Sequence, residues 1–386
     1  MSFATLSIEQ LRQRHGNKWQ QFGAEVLAAW VADMDFPLAG PIHRCLEEYL
    51  RRDDFGYPLH ADQDPLPAVF AERMRQRYAW SPREDLIAIT SDVVQALYVA
   101  LECFSEAGAG VVLQTPIYHP FLGLVRDLKR HLVANPLRYT EASWQIDFEQ
   151  LASGIDERTR VLLFCNPHNP SGRVWTREEL EAVAEVALRH NLLIFSDEIH
   201  SDLTYPGHQH IPMASLSPQV EARTITFNSA TKAFNIAGLR CALAVFGSEE
   251  LKKRFDAYPK RLLGGLGSGV SEITRVAWTE CGDWHAQLMD YLAGNRRLIG
   301  EFLAAELPTV QYREPQSTYL AWLDFKATGL AEDPHSFFLR EARVALSPGP
   351  QFGDPGVGCA RLNFATDREI LREILQRLRD ALAAHN

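Results

Sequence analysis

Two runs decide the fold: Arg160-Val161-Leu162-Leu163-Phe164-Cys165 and, after a helical pattern, Leu192-Leu193-Ile194-Phe195-Ser196. Both are continuously apolar rather than alternating, as expected of strands covered on both faces in a largely parallel sheet. Between them, Thr176 and Glu179 have capping-box spacing, and Leu180, Val183, Ala184, Ala187 and Leu188 share one helical face. Five more runs extend the alternation: Leu86–Thr90, Gly110–Gln114, His131–Asn135, Arg223–Phe227 and Cys241–Phe246. Seven strands interleaved with helices predict an α/β domain, its mostly parallel seven-stranded sheet lying between two helical layers.

The last hundred residues read differently. A strand-like Thr318–Phe325 precedes a helical pattern, a Gly- and Pro-rich loop (Ser347–Gly358), a strand (Ala360–Phe364) and a terminal helix. In that helix Leu371, Ile374, Leu375, Leu378 and Leu382 form one stripe. We therefore expect a large domain over residues 46–280 and a smaller α+β domain over 281–386. An N-terminal segment, 1–45, is expected to pack on the smaller one.

Composition excludes several classes. Of 386 residues, 39 are Lys or Arg and 49 are Asp or Glu, a net charge of −10 that argues against nucleic acid as a partner. No apolar run approaches the roughly 20 residues that span a bilayer, so no membrane association is expected. The first fifteen residues lack the apolar stretch of a secretory signal. Six scattered cysteines without a Cys-x-x-Cys pair fit a reducing compartment, and a cytoplasmic location is expected. His208 and His210 flank Gln209 in a segment rich in Pro and Gly, which reads as an exposed loop, and no metal site is expected.

The chemistry concentrates in three segments. In Ser229-Ala230-Thr231-Lys232-Ala233-Phe234-Asn235-Ile236-Ala237-Gly238-Leu239-Arg240, a lysine lies just beyond a strand among small and hydroxyl side chains. A desolvated lysine there can form a Schiff base with an aldehyde cofactor such as pyridoxal phosphate; a lone lysine is otherwise a surface residue. Asp197, in Phe195-Ser196-Asp197-Glu198-Ile199-His200, lies at the carboxyl end of a strand, where open α/β sheets bind ligands. It suits a protonated pyridine nitrogen, and equally an N-cap. Asn166-Pro167-His168-Asn169-Pro170-Ser171-Gly172 follows another strand and on its own is turn chemistry.

Together, Asn169, Asp197, Lys232 and Arg361, separated by 28, 35 and 129 residues, resemble the fold-type I pyridoxal-phosphate enzymes of the aspartate aminotransferase superfamily. Trp30-Val31-Ala32-Asp33-Met34-Asp35-Phe36, Phe55-Gly56-Tyr57, Thr115-Pro116-Ile117-Tyr118 and Asp197-Glu198-Ile199-His200 are similar to MalY/PatB-type C–S lyases, which are cystathionine β-lyase-like. An aminotransferase of the superfamily typically carries Tyr where this chain has His200.

The resemblance implies roles. Lys232 would hold pyridoxal 5'-phosphate and shuttle the Cα proton, Asp197 would pair with the ring nitrogen, and Asn169 would donate toward the phenolic oxygen. Tyr118 would stack on the ring, and His200 would lie beside the cofactor; otherwise Tyr118 is a strand-end aromatic of the core. Ser229 and the turn Asp92-Val93-Val94 would cradle the phosphate, with Arg240 pairing to it. Where the family usually has Gly, this chain has Asp92, whose carboxylate would repel a phosphate unless it turns away or the loop is shifted by one residue. Tyr57 would reach the phosphate of a neighbouring subunit, implying a homodimer with shared active sites. Arg361 would take the α-carboxylate of an amino-acid substrate, with Asp33 also at the substrate; outside this match an Arg pairs with a surface acid. The implied reaction is elimination of a thiol from cystathionine or another cysteine S-conjugate, giving pyruvate and ammonia. The same scaffold also carries aminotransferases, and could serve a regulatory protein with residual lyase activity.

Overall fold

All seven apolar runs form one sheet in the computed structural model, which describes residues 3–60, 62–140, 143–259 and 262–385. The strands are β1 (Ile87–Thr90), β2 (Gly110–Thr115), β3 (His131–Pro136), β4 (Thr159–Cys165), β5 (Leu193–Asp197), β6 (Thr224–Asn228) and β7 (Ala242–Phe246). Their spatial order is β1-β7-β6-β5-β4-β2-β3. The β6–β5–β4–β2–β3 pairings are parallel, while β7 runs antiparallel to both β6 and β1. Every residue of β2, β6 and β7 is buried, as continuous apolar runs require of strands sandwiched between helices.

The helix between β4 and β5 spans Arg177–Arg189. The Thr176 hydroxyl accepts from the Glu179 amide at 3.3 Å, and the Glu179 carboxylate accepts from the Thr176 amide at 2.8 Å. Val186 is buried on its inner face and Leu188 only partly, so the stripe is rotated slightly from the expected one. Fully burying each such aliphatic side chain is worth about 1.5–3 kcal/mol, which fixes the helix on the sheet.

A second, antiparallel sheet comprises β8 (Gln311–Tyr312), β9 (Leu320–Asp324), β10 (Ser347–Pro348) and β11 (Cys359–Asn363), in the order β8-β9-β11-β10. Strand β9 starts two residues later than expected, because Thr318 has φ +72° and turns the backbone out of the extended region. The expected loop Ser347–Gly358 begins with an edge strand: Ser347 and Pro348 pair with Arg361 and Ala360. Proline is tolerated there because an edge strand has a side that makes no ladder bonds. The terminal helix Arg368–His385 buries Leu371, Ile374, Leu375, Leu378 and Leu382. Near the N-terminus, Leu27 and Ala28 pair in parallel with Val344 and Ala345, and the Ala29 carbonyl accepts from the Asn363 amide at 2.9 Å. Among the described residues no helix is long and apolar enough to cross a membrane, and no cluster of three or more His, Cys, Asp or Glu could hold a metal ion. All six cysteines are free.

Candidate active site

Parallel strands end together, so the segments following β4, β5 and β6 meet at one edge of the sheet. Asn169 lies in the loop after β4, Asp197 is the last residue of β5, and Ser229 and Lys232 follow β6. The Asn169 loop is clamped by close packing: Gly172 has φ +70°, and a Cβ there would sit 2.3 Å from Pro315 Cβ. The Gly172 carbonyl accepts from the amides of Gln316 and Ser317. A cavity of about 600 Å3 opens at this edge, lined by Lys232, Asp197, Asn169, Tyr118, His200, Ser229, Val93, Val94 and Arg240, among others. The structure thus brings nine of the twelve expected residues into one wall.

Lys232 is half-buried, and its Nζ donates to the Ala32 carbonyl at 2.9 Å. Burial lowers its pKa to about 8; the Asp33 carboxylate opposes that shift and the Arg361 charge adds to it. Asp197 is buried, with Oδ1 accepting from the Ile199 amide at 3.1 Å and Oδ2 3.8 Å from Cys165 Sγ. Burial pushes this carboxyl up to about 7 against the stabilising Ile199 amide. His200 is buried with its Nδ1 lacking a partner among the described residues, and burial holds its ring neutral, its pKa lowered to about 3. The Tyr118 phenol is likewise raised by burial.

At the other end of the cavity the helix Val93–Phe104 begins. Its N-cap is Asp92, whose Oδ1 accepts from the Gln95 amide at 2.8 Å. Asp92 Oδ2 accepts from Arg240 Nη1 at 2.8 Å. Of the expected alternatives, a carboxylate turned away is not what the structure shows, since Oδ2 meets Arg240, a residue that also lines the cavity. Asp92 stays in the cavity wall, and its charge is shared between the helix terminus and Arg240. The Ser229 hydroxyl lies 2.7 Å from that of Thr231 and donates to the Cys241 carbonyl at 2.5 Å.

Arg361 projects from β11 to the margin of this cavity. Nη1 donates to Asn169 Oδ1 at 3.0 Å, and Nη2 donates to the Trp30 carbonyl and the Ser347 hydroxyl, both at 3.1 Å. The guanidinium lies over the Phe352 ring, 4.9 Å from its centroid. Its Nε has no partner, and no carboxylate pairs with it among the described residues. Burial alone lowers its pKa, to about 10. A buried cation without a counter-ion is costly, so this is where an anionic group of a ligand gains most. Asp33 does not line the cavity but is near enough for its charge to act on Lys232. Tyr57 is not brought in: it is fully exposed, on a face that also exposes Leu50, Phe55 and Leu59.

Several participants were not singled out from the sequence. The Ala32 carbonyl also accepts from the Tyr319 hydroxyl at 3.1 Å. Asn363 Nδ2 donates to the carbonyls of Val31 and Asp33, both at 2.7 Å. The run Trp30–Phe36 marked this stretch, but gave no hint that it works through backbone oxygens.

The donor set fits pyridoxal 5'-phosphate. A lysine of lowered pKa suits the aldehyde, a strand-end carboxylate the ring nitrogen, and helix amides, a hydroxyl and Arg240 the phosphate; the orphaned His200 Nδ1 leaves a buried polar atom for it. The family model for aminotransferase class I and II matches residues 65–378. Cystathionine beta-lyase PatB of Bacillus subtilis (strain 168) is 37% identical over 389 residues, covering 98% of this chain and 100% of that protein. Cystathionine beta-lyase of Corynebacterium glutamicum is 33% identical, covering 97% and 99%. The solved structure of the PLP-bound C–S lyase from Staphylococcus hominis superposes with a TM-score of 0.91 at 28% identity, covering 98% of each chain.

Proposed function

The chain belongs to the aminotransferase class I and II family, and within it we propose a pyridoxal-phosphate-dependent C–S β-lyase acting on cystathionine or a related cysteine S-conjugate. The net reaction takes the conjugate and water to a thiol, pyruvate and ammonia. When bound, pyridoxal 5'-phosphate supplies an electron sink conjugated to the substrate's Cα. The chain's own residues do the rest. Lys232 would hold the cofactor and, once freed by the substrate amine, would take the Cα proton. Its lowered pKa keeps a substantial neutral fraction available for both tasks. Asp197 would pair with the ring nitrogen, Asn169 would donate toward the phenolic oxygen, His200 would lie beside the cofactor and Tyr118 would stack on the ring.

The observation that carries an α-amino-acid substrate is Arg361, buried, hydrogen-bonded to Asn169 and lacking any acidic partner among the described residues. A guanidinium fork takes a carboxylate bidentately. Cleavage of C–S rather than transfer of the amino group rests on full-length similarity to the two cystathionine beta-lyases and the C–S lyase. We assign cofactor binding to a large domain of residues 46–280, with 281–386 as the smaller domain on which 1–45 packs. A homodimer is supported by the exposed apolar face around Tyr57, which would deliver that phenol to a neighbour's phosphate. Six free cysteines support a cytoplasmic location. The test is turnover of L-cystathionine with no keto acid added: pyruvate and a free thiol should appear in equal amounts. Conversion of an added 2-oxo acid to its amino acid, without pyruvate, would instead make it an aminotransferase.

A further inference from the structure

We propose that Asp92 is a built-in competitor of the cofactor phosphate, a carboxylate that holds one of the phosphate's donors, Arg240, places its charge beside the others, and thereby loosens cofactor binding. The inference rests on reading the cavity as a pyridoxal-phosphate site. Its anion end supplies the amides of Val93 and Val94, the Ser229 hydroxyl and the Arg240 guanidinium. Such a helix terminus favours negative charge. Asp92 already draws on it, with one oxygen on the Gln95 amide and the other on Arg240 Nη1, each at 2.8 Å.

Two opposed effects follow from that placement. Asp92 could aid binding by holding Arg240 in position, or hinder it by repelling a second anion. The Arg240 side chain is 70% exposed and that of Asp92 28%. An ion pair so open to solvent contributes little, so pre-positioning of Arg240 is the weaker effect. The repulsion acts between Asp92, the more buried member of that pair, and a dianion drawn to the adjoining amides of the same helix terminus, where solvent screens the two charges less. Repulsion wins, and removing the charge tightens the site.

Cap and charge can be separated, because Asn and Ser cap a helix about as well as Asp. Asp92→Asn and Asp92→Ser keep an acceptor for the Gln95 amide and lose the charge, whereas Asp92→Ala loses both. Three measurements apply: the dissociation constant of pyridoxal 5'-phosphate by equilibrium dialysis, the phosphorus resonance of the bound cofactor, and binding of inorganic phosphate to the cofactor-free protein. Asp92→Asn and Asp92→Ser should bind the cofactor about tenfold or more tightly than the parent, equivalent to about 1.4 kcal/mol. The phosphorus resonance should move, and inorganic phosphate should bind more tightly as well. Unchanged or weaker binding in Asp92→Asn, with a loss confined to Asp92→Ala, would reduce Asp92 to a cap and overturn the proposal. A parent that takes up no cofactor would overturn the cavity's reading instead; tighter inorganic phosphate in Asp92→Asn would then still support the competing charge.

Discussion

Capture of the cofactor by Lys232 should follow a titration near pH 8. Attack on an aldehyde needs the amine's lone pair, and burial strips water from the ammonium form, lowering the pKa from 10.5 to about 8. At about pH 7.5 an amine of that pKa is roughly one-quarter neutral, against about one part in a thousand for an ordinary lysine, so burial raises the reactive fraction about 200-fold. Cofactor-free protein mixed with pyridoxal 5'-phosphate in a stopped-flow instrument reports this through the visible absorbance of the bound cofactor. The second-order rate should rise about tenfold per pH unit below the midpoint and level off above it. Asp33 favours the ammonium, so Asp33→Asn should move the midpoint down. A midpoint near that of free lysine, or one that rises in Asp33→Asn, would refute the reasoning.

Other consequences are as direct. Arg361→Lys keeps the charge but loses the fork, which at about 1.5–3 kcal/mol should cut kcat/KM for L-cystathionine by about 10–150-fold. It should spare an analogue lacking the α-carboxylate, and equal losses on both would argue against carboxylate capture. Asp197→Asn should lower pyruvate formation at least about 100-fold, or about 2.7 kcal/mol, while borohydride still fixes the cofactor to Lys232; parent-like turnover would leave Asp197 a structural residue. Tyr57→Phe should weaken cofactor retention, and a mixed dimer pairing it with Lys232→Ala should regain turnover through one intact site. No recovery over the two parents would place Tyr57 in its own chain's site.

The large sheet was legible because strands buried on both faces have no polar side to interrupt them; Val161–Cys165 is such a run. The shortened start of β9 was not legible. Thr318 is β-branched and reads as strand, but its amide bonds to the Leu203 carbonyl and its carbonyl accepts from the Tyr205 hydroxyl at 2.7 Å, contacts set by distant chain. Lys232, Asp197 and Asn169 could be singled out because their residue types are chemically distinctive and each stands at or beyond the end of a strand. Ala32 could not, since its contribution is a carbonyl that any residue would offer. Asp92 was visible as a departure, but its pairing with Arg240 joins residues far apart in sequence, which no local pattern reports.

The stretch Trp30–Asp33 explains how the Arg361 and Lys232 side chains can leave their resting partners. The Trp30 carbonyl accepts from both Arg361 and the Ser347 hydroxyl, and the Ala32 carbonyl from both Lys232 and the Tyr319 hydroxyl. The Val31 and Asp33 carbonyls are held by Asn363, and Asp33 also by Lys18, itself paired with Asp35 at 2.7 Å. Each carbonyl that loses a charged donor to a ligand therefore keeps a neutral one. Without it, a buried acceptor would be stranded at about 1–3 kcal/mol. Tyr319→Phe removes the neutral donor at Ala32, so release of Lys232 should become harder by that amount. Cofactor capture should slow by about 5–150-fold, while the thermal midpoint of the cofactor-free protein changes little, because there Lys232 still satisfies the carbonyl. Ser347→Ala should act in parallel at Trp30, raising KM without altering cofactor capture. If Tyr319→Phe captures cofactor at the parent rate, the paired donors are packing without consequence for the chemistry.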